Sequence, residues 1–292
     1  MEHFSVMPSE TLEALALRPG YRVIDGTTGL GGHSRLLAEA VGADGHVFAC
    51  DADPESLALA KANCAALADR MTFTHSRFSE LPEKLAPHLP VDALLADFGT
   101  SMMHFTSGER GFSLMSGGPL DMRLDRTSDS PTAADFVNTL SETDLANLIY
   151  TTGERGSRHI ARALVRARPL HSIKQFADVI TAAVPRTGKL HPATLSALAL
   201  RIAVNREYEE IATLIASLPR LVRPGGRVAL IAFHGGEDLI SKTETKNLAK
   251  QGKAVLINKH VWTPSAEEVR RNRASRSARM RVLEISGTSG ES

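Results

Sequence analysis

A glycine-rich segment between an apolar run and a helix constrains the fold of this chain more than any other feature. It extends from Asp25 to Ser34 and reads Asp-Gly-Thr-Thr-Gly-Leu-Gly-Gly-His-Ser. Because glycine lacks a Cβ atom, the backbone of such a turn can approach a ligand closely, and the first N–H groups of the helix face that ligand. The segment therefore predicts a nucleotide-type pocket at the end of a strand in an open α/β sheet.

Short apolar runs alternate with amphipathic stretches through the first third of the chain. The predicted strands are 22–25, 46–51, 71–74 and 91–97, and the predicted helices are 33–41 and 54–68. Strands separated by helices of this length form a parallel sheet with right-handed connections. A glycine turn at 224–226 followed by a wholly apolar run adds a fifth strand that is buried on both faces. The pattern predicts a Rossmann-like α/β fold.

The segment between the fourth and fifth strands has a different character. Residues 98–130 show no clear periodicity, and residues 132–190 indicate several short helices. We therefore expect a sheet domain formed by residues 1–103 and 191–292, with an inserted all-helical subdomain at residues 104–190. The sequence after the insert predicts one long helix over 193–218 and two late strands at 254–261 and 279–285.

Two carboxylates identify the ligand class. Asp51 ends the second predicted strand, where a carboxylate accepts hydrogen bonds from the hydroxyls of a ribose. Asp25 precedes a glycine spacing that differs from the G-x-G-x-x-G pattern of dinucleotide sites, and its charge would repel a pyrophosphate. The positively charged S-adenosylmethionine suits this turn, whereas NAD and a dehydrogenase function are disfavoured.

Asp97 ends the fourth predicted strand and is the candidate acceptor-side group. An exocyclic base amine is a poor nucleophile, so a catalyst must orient it and accept a hydrogen bond from its N–H. Asp97 or a nearby backbone carbonyl could do this, although capping of the next turn or contact with the cofactor amine would also explain a carboxylate there.

Motifs along nearly the whole chain resemble those of the MraW/RsmH family. The amino-terminal motif begins at Phe4, and the others include the glycine segment and the arginine-rich carboxyl-terminal stretch. The remaining motifs are Asp51-Ala-Asp-Pro54, Arg110-Gly-Phe-Ser113, Gly118-Pro-Leu-Asp-Met-Arg123, Arg201-Ile-Ala-Val-Asn205 and Phe233-His234 with Glu237-Asp238. The resemblance implies an S-adenosylmethionine-dependent methyltransferase that modifies N4 of a cytidine in the decoding centre of small-subunit (16S) ribosomal RNA.

The resemblance also implies a set of cofactor-binding positions. These are Gly31, Gly32, His33, Asp51, Phe78, Asp97 and His104, to which the residue-level argument adds Asp25. Phe78 is expected near the adenine ring. His234, at the end of the fifth predicted strand, is a second catalytic candidate beside Asp97.

Several acceptor-side positions depart from the family pattern. They lie near Thr100, near Leu198 and at Gly235-Gly236, where the family usually has Ser-Leu. These changes motivate an alternative in which the chain is a non-catalytic or retargeted relative that binds S-adenosylmethionine and ribosomal RNA during subunit assembly.

Basic residues are concentrated in two places on a chain whose formal net charge is only +1. One run contains Arg155, Arg158, Arg162, Arg166 and Arg168, and the other places six arginines between Arg270 and Arg281. Such clusters suit phosphate contacts. The segment 99–122 could cover an extruded base, with His104, Asp121 and Arg123 lining it, although turn capping and ion pairing explain the last two equally well.

Other patterns exclude several classes of protein. The two cysteines, Cys50 and Cys64, lack metal-ligand spacing, and the eleven histidines are not paired as zinc ligands, so neither a metal site nor a disulfide framework is expected. No apolar stretch is long enough to cross a membrane and no signal peptide is evident, which predicts a cytoplasmic location. The sequence leaves the oligomeric state, including a homodimer, open.

Overall fold

The computed structural model describes residues 5–186 and 188–287, so Phe4 of the amino-terminal motif lies outside the described residues. The chain divides into two compact units, the first formed by Met1–Thr100 with Tyr208–Ser292 and the second by Ser101–Glu207. The second unit begins three residues before the expected insert at 104–190 and continues past residue 190 to Glu207. The reason is that Leu200 and Val204 pack in the core of the second unit.

The helices and strands alternate in the first unit, and helices dominate the second. Among the described residues, the strands are β1 (Arg22–Asp25), β2 (His46–Asp51), β3 (Met71–His75), β4 (Val91–Asp97), β5 (Val222–Ala232), β6 (Ala254–Leu256) and β7 (Arg279–Ile285). Among the same residues, the α-helices are α1 (Pro8–Leu15), α2 (Gly32–Val41), α3 (Pro54–Asn63), α4 (Leu81–Lys84), α5 (Met102–Thr106), α6 (Ala133–Thr139), α7 (Glu142–Tyr150), α8 (Ser157–Arg166), α9 (Ile173–Ala183), α10 (Thr194–Asn205), α11 (Glu207–Leu221), α12 (Gly235–Lys250) and α13 (Ala266–Arg271).

All seven strands form one sheet in the order β3-β2-β1-β4-β5-β7-β6. The five neighbouring strands β3, β2, β1, β4 and β5 are parallel to one another, and β7 pairs antiparallel with both β5 and β6. The predicted Rossmann-like α/β class is confirmed. Because β1 and β4 are neighbours while β2 and β3 lie on the other side of β1, the strand order reverses at β1, which is where open α/β sheets bind ligands.

The core lies on both faces of this sheet. Successive side chains of a strand point to opposite faces, so Ile24 and Leu94 belong to one buried cluster, whereas Val23 and Leu95 belong to the other. Helices cover both faces, which explains why the parallel strands are almost wholly apolar. The start of α3 follows local rules, because the Asp53 carboxylate accepts a hydrogen bond from the Glu55 N–H at 3.0 Å.

The second unit has its own core, built from the apolar faces of short helices. Leu145 of α7, Ile160 of α8 and Phe176 of α9 are fully buried members of this cluster. The start of α9 follows local rules, because Ser172 and Gln175 form a capping box there. Arg110 is also buried and donates a hydrogen bond to the Leu124 carbonyl oxygen at 2.6 Å.

The single helix expected over 193–218 is wrong. The structure has two helices, α10 and α11, separated at Arg206, whose φ is 52°. The Asn205 side chain donates to the Met122 carbonyl oxygen at 2.8 Å and accepts from the Leu124 N–H at 2.8 Å. These nonlocal bonds fix the end of α10, and the left-handed Arg206 prevents the helix from continuing.

The strand expected over 254–261 is shorter than predicted. β6 ends at Leu256, and Asn258 then bonds to the neighbouring strand through its side chain, donating to the Met280 carbonyl oxygen and accepting from the Val282 N–H, both at 2.9 Å. The side chain replaces the backbone in the ladder, so the strand stops. Within residues 5–186 and 188–287, no helix is long and apolar enough to cross a membrane.

Candidate active site

Three aspartates lie at the carboxyl ends of neighbouring parallel strands in the first unit. Asp25 ends β1, Asp51 ends β2 and Asp97 ends β4. β1 is paired with both of the other strands, through Asp25 with Ala49 and Asp25 with Leu95. The structure therefore brings the three sequence-predicted carboxylates to one edge of the sheet.

Asp51 holds the glycine segment in place. Its Oδ2 accepts a hydrogen bond from the Gly29 N–H at 2.7 Å, and its Oδ1 accepts one from the Asp53 N–H at 2.8 Å. A carboxylate oxygen can accept more than one hydrogen bond, so a carboxylate at the end of β2 can both hold the segment and accept from ribose hydroxyls.

Gly31 requires the absence of a side chain. Its φ is 91°, and a Cβ atom added there would lie 2.8 Å from the Cys64 Sγ atom. Gly32, the next residue, begins α2. Only glycine fits at position 31, because the backbone is left-handed and Cys64 occupies the space that a Cβ atom would need.

Asp25 is fully buried beneath the segment. Its Oδ1 accepts from the Thr27 N–H at 3.1 Å, and its Oδ2 accepts from the Ser34 hydroxyl at 2.6 Å. Burial raises the pKa of this carboxyl, and the hydrogen bond from Ser34 opposes that rise. Asp25 thus connects the start of the segment to its end, while a direct interaction with a cationic ligand stays a prediction.

Asp97 is positioned from both sides. Its N–H donates to the Thr27 Oγ1 atom at 2.6 Å, and its carboxylate Oδ1 accepts from the Gly99 N–H at 3.2 Å. The side chain retains 16% exposure, so the carboxylate is shielded yet accessible. Thr27 therefore joins Asp25 to Asp97, because it donates to the first carboxylate and accepts from the second residue's backbone.

His33 lies in the first turn of α2, next to this network. Its Nε2 atom is 3.7 Å from Asp97 Oδ2. Burial by itself would lower the pKa of His33, but the Asp97 and Asp25 carboxylates outweigh burial, and the pKa lies above its ordinary value. The Asp97 carboxylate, the nearer of the two, is therefore the main group that favours the protonated form of His33.

Phe78 follows β3 and lies against the glycine segment. A Cβ atom on Gly26 would be 3.3 Å from the Phe78 ring, and the ring also makes an edge contact with Phe98 at a centroid distance of 5.9 Å. Phe78 is only partly buried, so an aromatic surface is available beside the segment. Stacking of adenine near this ring remains a prediction.

His234 caps a helix. Its Nδ1 atom accepts from the Gly236 N–H at 3.2 Å, and its Nε2 atom lies 3.0 Å from Oε1 of the buried Glu237. The other carboxylate oxygen of Glu237 accepts from the Phe233 N–H at 2.7 Å. These contacts explain His234 as the N-cap residue of α12. A catalytic role of His234 stays a prediction.

Three of the predicted residues belong to the second unit. His104 is buried there and stacks on Phe112 at a centroid distance of 5.1 Å. Asp121 and Arg123 pair with each other through two hydrogen bonds of 2.8 and 3.0 Å, and Arg123 also donates to the Ser128 carbonyl oxygen. The ion pair stabilises its own loop, as the structural interpretation of these two residues predicted.

The carboxyl-terminal arginines are divided between structure and surface. Arg279 and Arg281 both donate to the Asp238 carboxylate, and Arg271 pairs with Glu267 at 2.6 Å. In the part of the chain that the structure describes, the exposed arginines 270, 273 and 276 have no carboxylate partner. Only half of this run is therefore available as a positive surface.

Sequence reasoning missed Thr27 and Tyr208. Thr27 lies inside the glycine segment, so its place in the sequence indicated that it is near the site. Its hydrogen bond with the Asp97 N–H could not be predicted, because it depends on β1 and β4 being neighbours in the sheet. Tyr208 carried no signal. A Cβ atom on Gly236 would overlap the Tyr208 hydroxyl oxygen, whereas one on Gly235 would meet nothing within 4 Å. The departure at Gly236 therefore makes room for Tyr208.

Comparison with known proteins gives consistent matches along the chain. A model of the MraW methylase family matches residues 1–286. The chain is 48% identical over 286 residues to the ribosomal RNA small subunit methyltransferase H of Solibacter usitatus, covering 97% of this chain and 99% of that protein. It is 43% identical over 288 residues to the protein of the same name from Nostoc punctiforme, covering 97% and 93%. A solved SAM-dependent O-methyltransferase from Thermotoga maritima is 15% identical with a TM-score of 0.49, covering 99% of this chain and 69% of that one.

Proposed function

The chain belongs to the MraW methylase family, and on that basis we propose that it is an S-adenosylmethionine-dependent methyltransferase of small-subunit ribosomal RNA. The observation that carries the proposal is the meeting of Asp25, Asp51 and Asp97 beside a glycine segment at one edge of a parallel sheet. The names of the relatives supply the RNA class, and such a substrate corresponds to a cytoplasmic location.

The residues of this edge fit the cofactor. Gly31 permits the left-handed backbone of the glycine segment, Asp51 ends β2 where a carboxylate can bind ribose hydroxyls, and Phe78 offers a partly exposed ring for adenine. When bound, S-adenosylmethionine supplies an electrophilic methyl group on a sulfonium. We propose that Gly31 and Gly32 line the cofactor, with Asp51 and Phe78 holding its adenosine.

Asp97 is the proposed catalytic residue. Its carboxylate accepts a hydrogen bond from the N–H of the exocyclic amine and so directs the nitrogen lone pair toward the methyl group. The bound cofactor would supply the methyl group to this nitrogen and would keep the electrons of its C–S bond on sulfur. Asp97 then takes the proton that the nitrogen loses and releases it to solvent.

The acceptor that suits this chemistry is the N4 amine of a cytidine, as the sequence resemblance implies. A covalent route through cysteine is disfavoured, because Cys50 and Cys64 are both buried and burial raises the pKa of each thiol. Direct transfer to the amine needs no enzyme nucleophile. We propose that the second unit, in which His104 is buried, is a substrate-recognition module, and a cofactor contact of His104 stays a prediction.

The non-catalytic alternative loses part of its basis in the structure. It rested on departures from the family pattern, and one of them, Gly236, is explained by the space that Tyr208 occupies. A packing change in α12 does not remove Asp97 or its partners. Methyl transfer is therefore the function that the geometry supports best.

Mass spectrometry of small-subunit RNA from cells with and without the gene tests the proposed function. We expect one methylated cytidine to disappear on deletion and to return with the wild-type chain. An unchanged modification pattern would contradict the proposal. Calorimetry with S-adenosylmethionine and with NAD provides the cofactor control, and binding of NAD alone would favour the dehydrogenase interpretation.

A further inference from the structure

Helix α8 in the second unit has two chemically opposite faces. Ile160, Ala161 and Leu164 are fully buried in the core of this unit. Arg158, Arg162 and Arg166 recur every fourth residue on the other side and are exposed. Residues four apart in a helix lie on one side, about 6 Å apart along the axis. The three guanidinium groups therefore form a row, which we call the arginine face.

The arginine face does not hold the fold together. Arg162 lies 3.2 Å from Glu142, but both side chains are about half exposed, at 54% and 45%, and such a pair contributes little stability. Among the described residues, Arg158 and Arg166 have no carboxylate within ion-pair distance. Arg168, by contrast, donates to the carbonyl oxygens of Val137 and Leu140 and is structural.

Further exposed residues of the same helix pair extend the chemistry of the row. Arg155 and His159 are exposed in the same stretch of sequence. Tyr150, the last residue of α7, has 64% of its surface exposed. Since α7 and α8 pack against each other, an uncovered aromatic ring and several cations lie on one helix pair.

We propose that the arginine face and Tyr150 bind an unpaired strand of the substrate RNA, outside the nucleotide that is methylated. Guanidinium groups bond phosphate oxygens in a bidentate manner, and exposed aromatic rings stack on unpaired bases. This combination favours RNA over an acidic protein, which would need no stacking ring. The inference rests on the proposed function for the identity of the RNA, but binding can be measured without methyl transfer.

The decisive experiment measures the salt dependence of RNA binding by fluorescence anisotropy with a labelled, unstructured polyuridine oligonucleotide. Each phosphate contact with single-stranded RNA contributes about 0.7 to the slope of log K against log salt concentration. We expect the variant R158Q/R162Q/R166Q to reduce the slope by about 2 and the affinity by roughly 10- to 100-fold near 0.1 M salt. The charge-retaining variant R158K/R162K/R166K should keep most of the slope.

A matched control is available in the first unit. Lys242, Lys246 and Lys250 of α12 are exposed and have the same spacing, so K242Q/K246Q/K250Q removes the same charge from a different surface. We expect this control to retain the wild-type slope. An equal loss in both triple variants would show that net charge alone governs binding, and it would overturn the proposal.

Tyr150 and methylation provide two further measurements. Y150A should weaken oligonucleotide binding about tenfold, and Y150F should not. On small-subunit RNA, R158Q/R162Q/R166Q should raise KM and leave kcat unchanged. If R158Q/R162Q/R166Q methylates RNA with an unchanged KM and binds the oligonucleotide with an unchanged salt slope, the inference is overturned and the proposed function is not. The same holds if this variant keeps its RNA affinity but no longer binds an acidic protein that the wild type binds. Arginine-dependent RNA binding without any methylation would instead contradict the proposed function alone.

Discussion

The imidazole Nε2 atom of His33, in the first turn of α2, lies 3.7 Å from Oδ2 of Asp97, which ends β4. The Glu268 carboxylate, which accepts a hydrogen bond from the Met7 N–H at 2.7 Å, also interacts electrostatically with His33. His33 therefore lies among three carboxylates, those of Asp25, Asp97 and Glu268. This arrangement makes the charge of His33 a feature of the site that can be tested.

The first prediction concerns pH. Burial opposes protonation of His33, but the carboxylates raise its pKa above the ordinary value. A raised pKa in the folded state stabilises the protein below the unfolded value of about 6.5, and this stabilisation is lost as the pH rises through the folded pKa. We expect the Tm of the wild type to fall as the pH rises through the neutral range, and we expect H33Q to lack the part of this fall that is due to His33. The exposed histidine variant H159Q should follow the wild type, and parallel wild-type and H33Q curves would contradict the prediction.

The second prediction concerns catalysis by Asp97. Both D97N and D97A remove the group that accepts the amine proton, so we expect kcat to fall about 10²- to 10⁴-fold. Calorimetry should show that S-adenosylmethionine still binds, because the proposed cofactor contacts of Asp51 and the glycine backbone remain. Full activity in D97A would remove the catalytic role assigned to Asp97.

The third prediction concerns the buried bond between Ser34 and Asp25. S34A leaves a buried carboxylate oxygen without its hydroxyl donor, which should cost about 1–3 kcal/mol of unfolding free energy. The cost should shrink in the D25N background, because the two side chains interact directly at 2.6 Å. Urea unfolding of the wild type, both single variants and the double variant measures this coupling, and strictly additive effects would argue against it.

The fourth prediction compares two adjacent glycines. G236A forces a Cβ atom into the Tyr208 hydroxyl and should destabilise the protein by about 1–3 kcal/mol. G235A adds a Cβ atom in open space and should be neutral or slightly stabilising, since alanine favours the helix. In the Y208A background, G236A should lose most of its effect. Equal destabilisation by G235A and G236A would refute the packing explanation.

Local chemistry made much of the sheet and its edge predictable. The Asp53-Pro54 start of α3 depends on residues adjacent in sequence, as does the glycine segment after β1. Alternation of apolar runs and helices then implies that Asp25, Asp51 and Asp97 meet at one edge, because parallel strands end together.

Features that depend on distant residues were not predictable. The break at Arg206 follows from bonds between Asn205 and a loop more than eighty residues earlier in the chain. The short β6 depends on an Asn258 side chain that bonds across to β7. The clearance between Gly236 and Tyr208 likewise joins two helices that no local pattern relates. In each case one side chain reaches a backbone or side chain that only the tertiary fold brings near.

The hydrogen bond from the Gly29 N–H to Asp51 lowers the conformational entropy that the glycine segment loses when a ligand binds. Asp51 restrains the glycine segment within the folded protein itself, so the segment is preorganised and a ligand need not order it on arrival. A variant such as D51N or D51A would therefore weaken cofactor binding in two ways, by removing an acceptor for ribose and by releasing the segment. Association kinetics can separate the two, because a loosened segment slows productive encounter, whereas a missing ribose contact mainly speeds dissociation.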